Sequence, residues 1–263
     1  MNPEEEREKI LAFIKAGLVG LSVVLLIFCG VYSAPEVTET FHSIKEQRRL
    51  PICSVHTKSK EVALSFDCDY TGEYTKSILA VLSKHRVKSS FFMTGSWVTE
   101  YPEEVKMIAA AGHDLGNHSE SHERMSKMSN QQCSEEIMAV HKKVQELTGQ
   151  AMILFRAPYG DYNNTVIESV NDCGYYCIQW NIDSCDWKDY EPGEIVKQVM
   201  ENKKLGKGSI ILFHNGAKYT SQALDQLLTD LEKKHYQVVP VSKMIYKESF
   251  YVNANGEQVS EQK

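Results

Sequence analysis

Short apolar runs alternate with longer amphipathic stretches along most of the chain after residue 60. Apolar runs bounded by polar residues are typical of buried strands, whereas apolar positions three and four apart are typical of helices packed on one face. The runs predict strands at 61–66, 89–93, 113–116, 152–155, 176–180, 209–213 and 236–239, after a short strand at 51–55. The amphipathic stretches predict helices at 73–85, 101–111, 130–148, 163–173, 191–204 and 220–234.

The regular order of strand and helix indicates parallel β-α-β units and therefore an α/β fold. About seven repeats in about 190 residues favour a compact (β/α) barrel, with a doubly wound open sheet as the alternative. The last stretch, 249–263, is polar and is predicted to be a frayed tail.

One segment near the N-terminus has the length and apolar character of a membrane span. Residues 16–34 carry no charge and, as a helix, would extend about 28 Å, close to the thickness of a bilayer core. A cleaved signal peptide is the alternative, but Tyr32 is poorly placed for a cleavage site ending at Ala34. We therefore expect an uncleaved signal anchor, with everything after residue 34 outside the cell. The basic residues that would hold the N-terminal end in the cytoplasm are Arg7, Lys9 and Lys15.

Composition narrows the classes of protein that the chain can belong to. Its 263 residues, 42% of them hydrophobic, suit one globular domain with an appendage. A net charge of −6 without a Lys/Arg-rich stripe argues against nucleic acid as a partner. Seven cysteines without a C-x-x-C pair do not suggest a disulfide framework, although a Cys173–Cys177 bridge stays open.

Polar, chemically capable residues follow five of the predicted strands. Because parallel β-α folds build their sites at the carboxyl ends of strands, these residues would share one face. Taken singly, each could be a helix cap, a surface turn, a solvated loop or a core histidine, but five such coincidences favour a site. The strand exits carry Asp67-Cys68-Asp69, Asn117-His118 with His122, Arg156, Asp183 with Asp186 and Trp187, and His214.

The pair His118 and His122 has the spacing of a metal-binding pair. If the strand before it runs into one helical turn, both imidazoles lie on the same side and can share one ion. Two surface histidines on a helix are the alternative.

Five segments, S-F-D-C-D, H-S-E-S-H, R-A-P-Y-G, D-S-C-D-W and L-F-H-N, together resemble the five motifs of the polysaccharide deacetylase family. This is carbohydrate esterase family 4, also called the NodB-homology domain. The resemblance covers roughly residues 60–245 and is strongest to Gram-positive peptidoglycan deacetylases with an altered first motif. It implies a distorted (β/α) barrel and metal-dependent hydrolysis of N-acetyl groups on amino sugars.

The resemblance also implies roles for particular residues and a catalytic domain at 60–248. With the apolar segment and the polar stretches at either side of that domain, the chain would divide into a cytoplasmic tip and anchor at 1–34, a juxtamembrane linker at 35–59, the catalytic domain and the tail at 249–263. The cofactor would be a divalent metal, usually zinc, with cobalt or another divalent ion as alternatives. By motif, the implied roles are Asp67 as general base, His118 and His122 as metal ligands, Arg156 as the partner of Asp67, Tyr159 as an oxyanion-binding N–H, Asp186 as the partner of His214, Trp187 as a wall of the groove, and His214 as general acid.

The first motif departs from the family pattern at one position. Most members have a second acid directly after the base as third metal ligand, and here that residue is Cys68. Asp69, a thiolate from Cys68 or an extra water are the open alternatives for that ligand.

Three functions are compatible with these motifs. We favour a membrane-anchored deacetylase of peptidoglycan, without distinguishing N-acetylglucosamine from N-acetylmuramic acid. A chito-oligosaccharide deacetylase, or a glycan-binding scaffold without turnover, is the alternative. A zinc peptidase is disfavoured because Ser119 stands where the H-E-x-x-H motif needs glutamate. Candidate aromatic platforms for a sugar are Tyr70, Tyr74, Trp97, Tyr159, Tyr162 and Trp187.

Overall fold

The computed structural model describes residues 48–262 and, in the stretch before them, Arg7 alone. The predicted membrane segment at 16–34 lies outside the described residues. Within the described part, no helix is long and apolar enough to cross a bilayer.

The elements follow one another in a strand-and-helix alternation. The strands are β1 (Ser54–Val55), β2 (Glu61–Cys68), β3 (Ser90–Met93), β4 (Asp114–Asn117), β5 (Leu154–Phe155), β6 (Tyr176–Cys177), β7 (Ile182–Asp183), β8 (Ser209–His214), β9 (Gln237–Val238), β10 (Phe250–Val252) and β11 (Glu257–Ser260). The helices are α1 (Thr75–Lys84), α2 (Gly95–Glu100), α3 (Pro102–Ala110), α4 (Asn130–Thr148), α5 (Asn164–Asp172), α6 (Pro192–Met200), α7 (Thr220–Lys233) and α8 (Val241–Met244). Single 3₁₀ turns lie at Met125–Lys127, Pro158–Gly160 and Asp186–Lys188.

The parallel strands form one curled sheet in the order β7-β8-β2-β3-β4-β5-β6, and β9 adds to β2. The predicted α/β class with a parallel sheet is confirmed, and each of the seven predicted strands is present. No pairing joins β6 to β7 in the described part; instead a bridge from Ile178 to Ile52 borders that end of the sheet. The parallel strands thus form an arc, and the short segment with Ile52 and β1 lies between its two ends, because Ser54 of β1 pairs with Ser209 of β8.

Strand β2 shows how the sheet separates two apolar layers. Leu64, Phe66 and Cys68 are fully buried in the layer between the sheet and its covering helices. Ala63, directly before Leu64 in sequence, packs with Phe92 in a second cluster on the other side. Because successive side chains of a strand point to opposite faces, residues at odd numbers in β2 face the inside of the curl.

Local signals explain why the long helix was easy to predict and two other elements were not. Helix α4 begins with a Ser129–Gln132 capping box and ends at Gly149 with φ of +71°, matching the predicted range 130–148. Strand β7 has two residues and helix α2 has six, which is too short for a periodic pattern.

Cys173 and Cys177 are both free, so the bridge left open between them is not formed.

The prediction of a frayed tail over 249–263 is wrong for 250–260. Strands β10 and β11 pair with each other, and β11 runs parallel to β1. Gln258 is fully buried, accepts a hydrogen bond from the backbone N–H of Tyr246 and donates one to its C=O. This polar stretch is ordered because the buried side chain of Gln258 hydrogen-bonds the backbone N–H and C=O of Tyr246.

Replacing Gln258 with Ala should lower the free energy of unfolding by about 1–3 kcal/mol, because it leaves two backbone groups of Tyr246 without partners. Urea unfolding of the purified protein measures this change. The exposed neighbour Glu261, changed to Ala, is the matched control and should shift the midpoint little. Equal midpoints for the two variants would show that the C-terminal hairpin is not anchored through this side chain.

Candidate active site

Side chains from the carboxyl ends of the parallel strands surround a cavity of about 500 Å³. Six of the eight predicted site residues line it, and Arg156 and Asp186 are fully buried behind its wall. The lining residues are Asp67, Asp69, Tyr70, His118, His122, Tyr159, Trp180, Asp183, Trp187, Leu212 and His214. The fold therefore gathers the five motif segments at one place, as the sequence predicts.

A buried ion pair forms the floor of the cavity. The guanidinium of Arg156 donates to Oδ1 of Asp67 at 2.6 Å and to Oγ of Ser65 at 2.8 Å. Ser65 in turn donates to the backbone oxygen of Ile211, so its lone pairs face the arginine. Burial alone would raise the pKa of Asp67, but the charge of Arg156, aided by His118, lowers it below the ordinary value. Asp67 is therefore an ionised carboxylate in a nearly dry environment.

The two histidines lie in a loop after β4, not on a helical turn. Ser119 and His122 have φ of +66° and +57°, so the predicted helical turn is wrong. The reason is local, because Asn117 Oδ1 accepts from the N–H of Ser119, and Ser119 Oγ accepts from the N–H of His122. These bonds replace helical ones, yet they still bring the rings of His118 and His122 to 5.0 Å between centroids.

Each of the two imidazoles brings its Nε2 close to a carboxylate at the cavity. His118 Nδ1 donates to the backbone oxygen of Arg156 at 2.8 Å, which leaves Nε2 as an acceptor, 3.4 Å from Asp67 Oδ2. Nε2 of His122 lies 3.6 Å from Oδ2 of Asp69. Burial lowers the pKa of both histidines and favours the neutral form that binds metals.

The described residues include no group of three or more His, Cys, Asp or Glu side chains that forms a ready-made metal site. The donor set still suits a divalent cation, because two neutral imidazoles face the cavity next to a carboxylate. Oδ1 of Asp69 is buried and has no hydrogen-bond partner. The backbone oxygen of Arg156 already orients His118, as a hydrogen bond to the other ring nitrogen usually does for metal-bound histidine.

Cys68 faces away from the cavity. It is fully buried among the side chains between the sheet and the helices. Burial, with the charges of Asp67 and Asp69, raises the pKa of its thiol well above the ordinary value. A thiolate ligand from Cys68, one of the alternatives left open by the sequence, is disfavoured by this position.

His214, the last residue of β8 and the register partner of Asp67 on β2, forms a second buried pair, with Asp186. Its Nδ1 donates to Oδ1 of Asp186 at 2.8 Å, and Oδ2 of Asp186 accepts from the N–H of His214 and the hydroxyl of Thr220. Burial would lower the pKa of His214, but the hydrogen bond and charge of Asp186 outweigh it and raise the pKa to about 9. His214 is thus a protonated imidazolium at neutral pH.

Exposed aromatic rings form the rim. Tyr70 is 81% exposed, Tyr159 60% and Trp187 56%. The Tyr159 ring lies 4.6 Å from the ring of His122 between centroids and is tilted by 46° to it, and Lys188 lies over Trp187. The other three aromatic candidates are not platforms, because Trp97 is buried and Tyr74 and Tyr162 pack against the core.

Sequence reasoning missed the residues that support the charged groups. Ser65 and Thr220 are buried partners of Arg156 and Asp186, and Trp180 lines the cavity. A signal was present for Ser65, because polar residues at 65, 67 and 69 alternate with apolar ones in a buried strand. No comparable pattern marks Thr220, which opens α7.

The model of the family described as polysaccharide deacetylase matches residues 54–178. The peptidoglycan-N-acetylmuramic acid deacetylase PdaA of Bacillus subtilis is 32% identical over 193 residues, which are 73% of this chain and 73% of that protein. The peptidoglycan-N-acetylglucosamine deacetylase PgdA of Listeria monocytogenes is 34% identical over 186 residues. That match takes in 71% of this chain, and the chain spans only 39% of the length of PgdA.

Solved structures of one more relative are also similar. BA3943 of Bacillus anthracis, described as a CE4 family pseudoenzyme, matches with 32% identity and a TM-score of 0.71, over 74% of this chain and 68% of that one. A mutant of BA3943 with restored enzymatic activity matches at 33% identity with the same TM-score, over 74% and 70%. The fold is therefore shared by catalytic and non-catalytic relatives.

Replacing Asp186 with Asn should move the pKa of His214 from about 9 to a lower value. The substitution removes the anionic acceptor and leaves burial, which favours the neutral ring. An NMR titration of the imidazole signals measures the midpoint. Asp183→Asn is the matched control, because that carboxylate lines the cavity but hydrogen-bonds Cys185 instead. An unmoved midpoint in Asp186→Asn would mean that the dyad does not set the charge of His214.

Proposed function

The chain belongs to the polysaccharide deacetylase family, and on that premise we propose that it hydrolyses N-acetyl groups of amino sugars in peptidoglycan. One observation carries the proposal above all: an ionised carboxylate and a protonated imidazole face one cavity, each held in its state by its own buried partner. Hydrolysis of an acetamide needs both a base and an acid, because the attacking water must lose a proton and the departing amine must gain one.

The proposed cofactor is a divalent metal, with zinc expected, held by His118 and His122. When bound, such an ion supplies a Lewis acid for the acetamide carbonyl and lowers the pKa of a nearby water. Zinc accepts neutral imidazole nitrogens, and both rings offer them here. Cobalt or another divalent ion would suit the same donors.

The chain's own residues perform the proton transfers. Asp67 takes the proton of the attacking water, and its pKa, lowered by Arg156, keeps it ready to accept at neutral pH. His214 gives its Nε2 proton to the leaving nitrogen, because Nδ1 is already bonded to Asp186. We further propose that the backbone N–H of Tyr159 stabilises the oxyanion and that Trp187 walls the groove.

Peptidoglycan is proposed as substrate on the strength of the relatives. PdaA is named for N-acetylmuramic acid and PgdA for N-acetylglucosamine, so their names do not select one sugar. The open cavity with three exposed rings suits a polymer lying across it. We also propose that residues 16–34 anchor the protein in the cell membrane, with the catalytic domain outside, because this apolar stretch has the length of a bilayer span.

A second candidate is a glycan-binding protein with weak or no turnover. Two observations favour it: Cys68 replaces the acid that most of the family uses, and BA3943, a pseudoenzyme, is among the similar structures. It differs from the first candidate in one measurable outcome, because it predicts glycan binding without release of acetate.

Zinc-loaded protein should release acetate from purified peptidoglycan, with chito-oligosaccharide as the comparison substrate. Asp67→Asn and His118→Ala should each lower kcat/KM by about 10²–10⁴-fold, since one removes the base and the other a ligand. Asp225→Asn, an exposed carboxylate paired with Lys84, is the control and should retain activity. Glycan binding without acetate release by the parent protein would instead support the second candidate.

The pH profile should report the charge of His214. Because the general acid must be protonated, kcat/KM should fall as pH rises through about 9. In Asp186→Asn the pKa of His214 is lower, so the alkaline limb should move to lower pH. A limb that stays in place in this variant would show that His214 is not the acid whose titration limits the rate.

A further inference from the structure

The sequence leaves open which side chain would be the third ligand of the proposed cation, because Cys68 stands where most of the family has an acid. Strand alternation restricts the answer. Ser65 and Asp67 fall on the inner face of β2, and Asp69, directly after the strand, lines the same cavity as Asp67, whereas Phe66 and Cys68 fall on the outer face. A side chain at position 68 would have to leave the apolar layer between sheet and helices to reach the cavity.

Cys68 shows no sign of being available for such a move. It has no exposed surface, and its Sγ lies 4.0 Å from the backbone oxygen of Phe66 in its own strand. Ile78 of α1 belongs to the same apolar cluster. The thiol therefore behaves as a small hydrophobic side chain that fills the layer under α1.

Asp69, by contrast, is buried at the cavity and incompletely paired. Its side chain is 8% exposed, and Oδ2 lies 3.6 Å from Nε2 of His122, which is too long for a hydrogen bond. Oδ1 is buried with no hydrogen-bond partner. A buried carboxylate without partners is costly, so a charge that compensates it is expected nearby.

The neighbouring basic groups act on Asp69 only at a distance. Arg156 is bonded to Asp67 and Ser65, and Nδ1 of His214 is bonded to Asp186; no hydrogen bond joins either side chain to Asp69 in the described part. A cation shared with His118 and His122 would satisfy Oδ1 or Oδ2 of Asp69 and both Nε2 lone pairs. Two imidazoles and one carboxylate are a common protein ligand set for zinc that leaves a position open for water or substrate.

We propose that Asp69, two residues after the base, supplies the carboxylate ligand that most of the family takes from the residue directly after the base. The proposal rests on the proposed metal-dependent function but is separate from turnover, since it concerns binding of the cation alone. It also gives Cys68 a packing role instead of a chemical one.

Zinc affinity tests the assignment without substrate. The full-length protein in detergent is stripped of metal and titrated with zinc against a chromophoric chelator. Asp69→Asn should weaken the Kd by more than about 100-fold, since even outer-shell partners are worth about 10–100-fold. Cys68→Ala should change the Kd less than about threefold. Asp183→Asn, another carboxylate of the cavity, is the matched control and should also leave the Kd unchanged.

Cobalt provides a second readout that does not depend on affinity. The cobalt-loaded parent should lack the near-ultraviolet charge-transfer band of a thiolate ligand, and its visible spectrum should change in Asp69→Asn but not in Cys68→Ala. A thiolate band that disappears in Cys68→Ala would overturn the proposal in favour of the cysteine. An unchanged zinc Kd in Asp69→Asn would overturn it in favour of water.

The outcomes separate this inference from the proposed activity. A protein that binds zinc through Asp69 but releases no acetate supports the inference and contradicts turnover. Acetate release with the same zinc Kd in parent and Asp69→Asn contradicts the inference alone. Circular dichroism and the unfolding midpoint of each variant establish that a lost affinity does not reflect a lost fold.

Discussion

The buried pair of Arg156 and Asp67 is the interaction around which the site is built. Neither side chain has appreciable contact with solvent, and removing one partner of such a pair typically costs about 3–5 kcal/mol. Cζ of the Arg156 guanidinium also lies 4.0 Å from the ring centroid of Phe92 and 5.4 Å from that of Trp180, so both aromatic rings contact its positive charge. Hydrophobic residues of the same volume would often be equally stable there, so the charges are better explained by chemistry than by stability.

This pair constrains its surroundings in detail. A Cβ added to Gly116 would lie 2.7 Å from the ring of Phe92, so glycine at that position leaves room for the aromatic face under Arg156. The backbone oxygen of Arg156 orients His118, and its N–H donates to the backbone oxygen of Asn117. One residue therefore fixes the charge of the base, the tautomer of a histidine and the spacing of two strands.

The sequence predicted the strands and most helices because apolar runs alternate regularly with long amphipathic stretches along the chain. It also placed the site at the strand ends, since parallel β-α topology brings those ends together whatever the loops do. It failed where local hydrogen bonds decide the backbone: the loop carrying His118 and His122 is set by Asn117 and Ser119. It failed again at the C-terminal hairpin, where a buried Gln258 orders a polar stretch, and for supporting residues such as Thr220, whose contact with Asp186 is long-range.

The two proton-handling groups illustrate how one cavity keeps opposite protonation states side by side. Burial by itself would favour the neutral form of both Asp67 and His214, so each would lose its charge if it were merely buried. Arg156 restores the negative charge of the one, and Asp186 restores the positive charge of the other. Because each partner is itself fully buried, salt screens the two pairs much less than it would screen exposed ones, and the difference in pKa is built into the packing. The sequence motifs therefore identify all four residues of the two pairs, whereas the burial that gives each partner its effect on the pKa is a property of the fold.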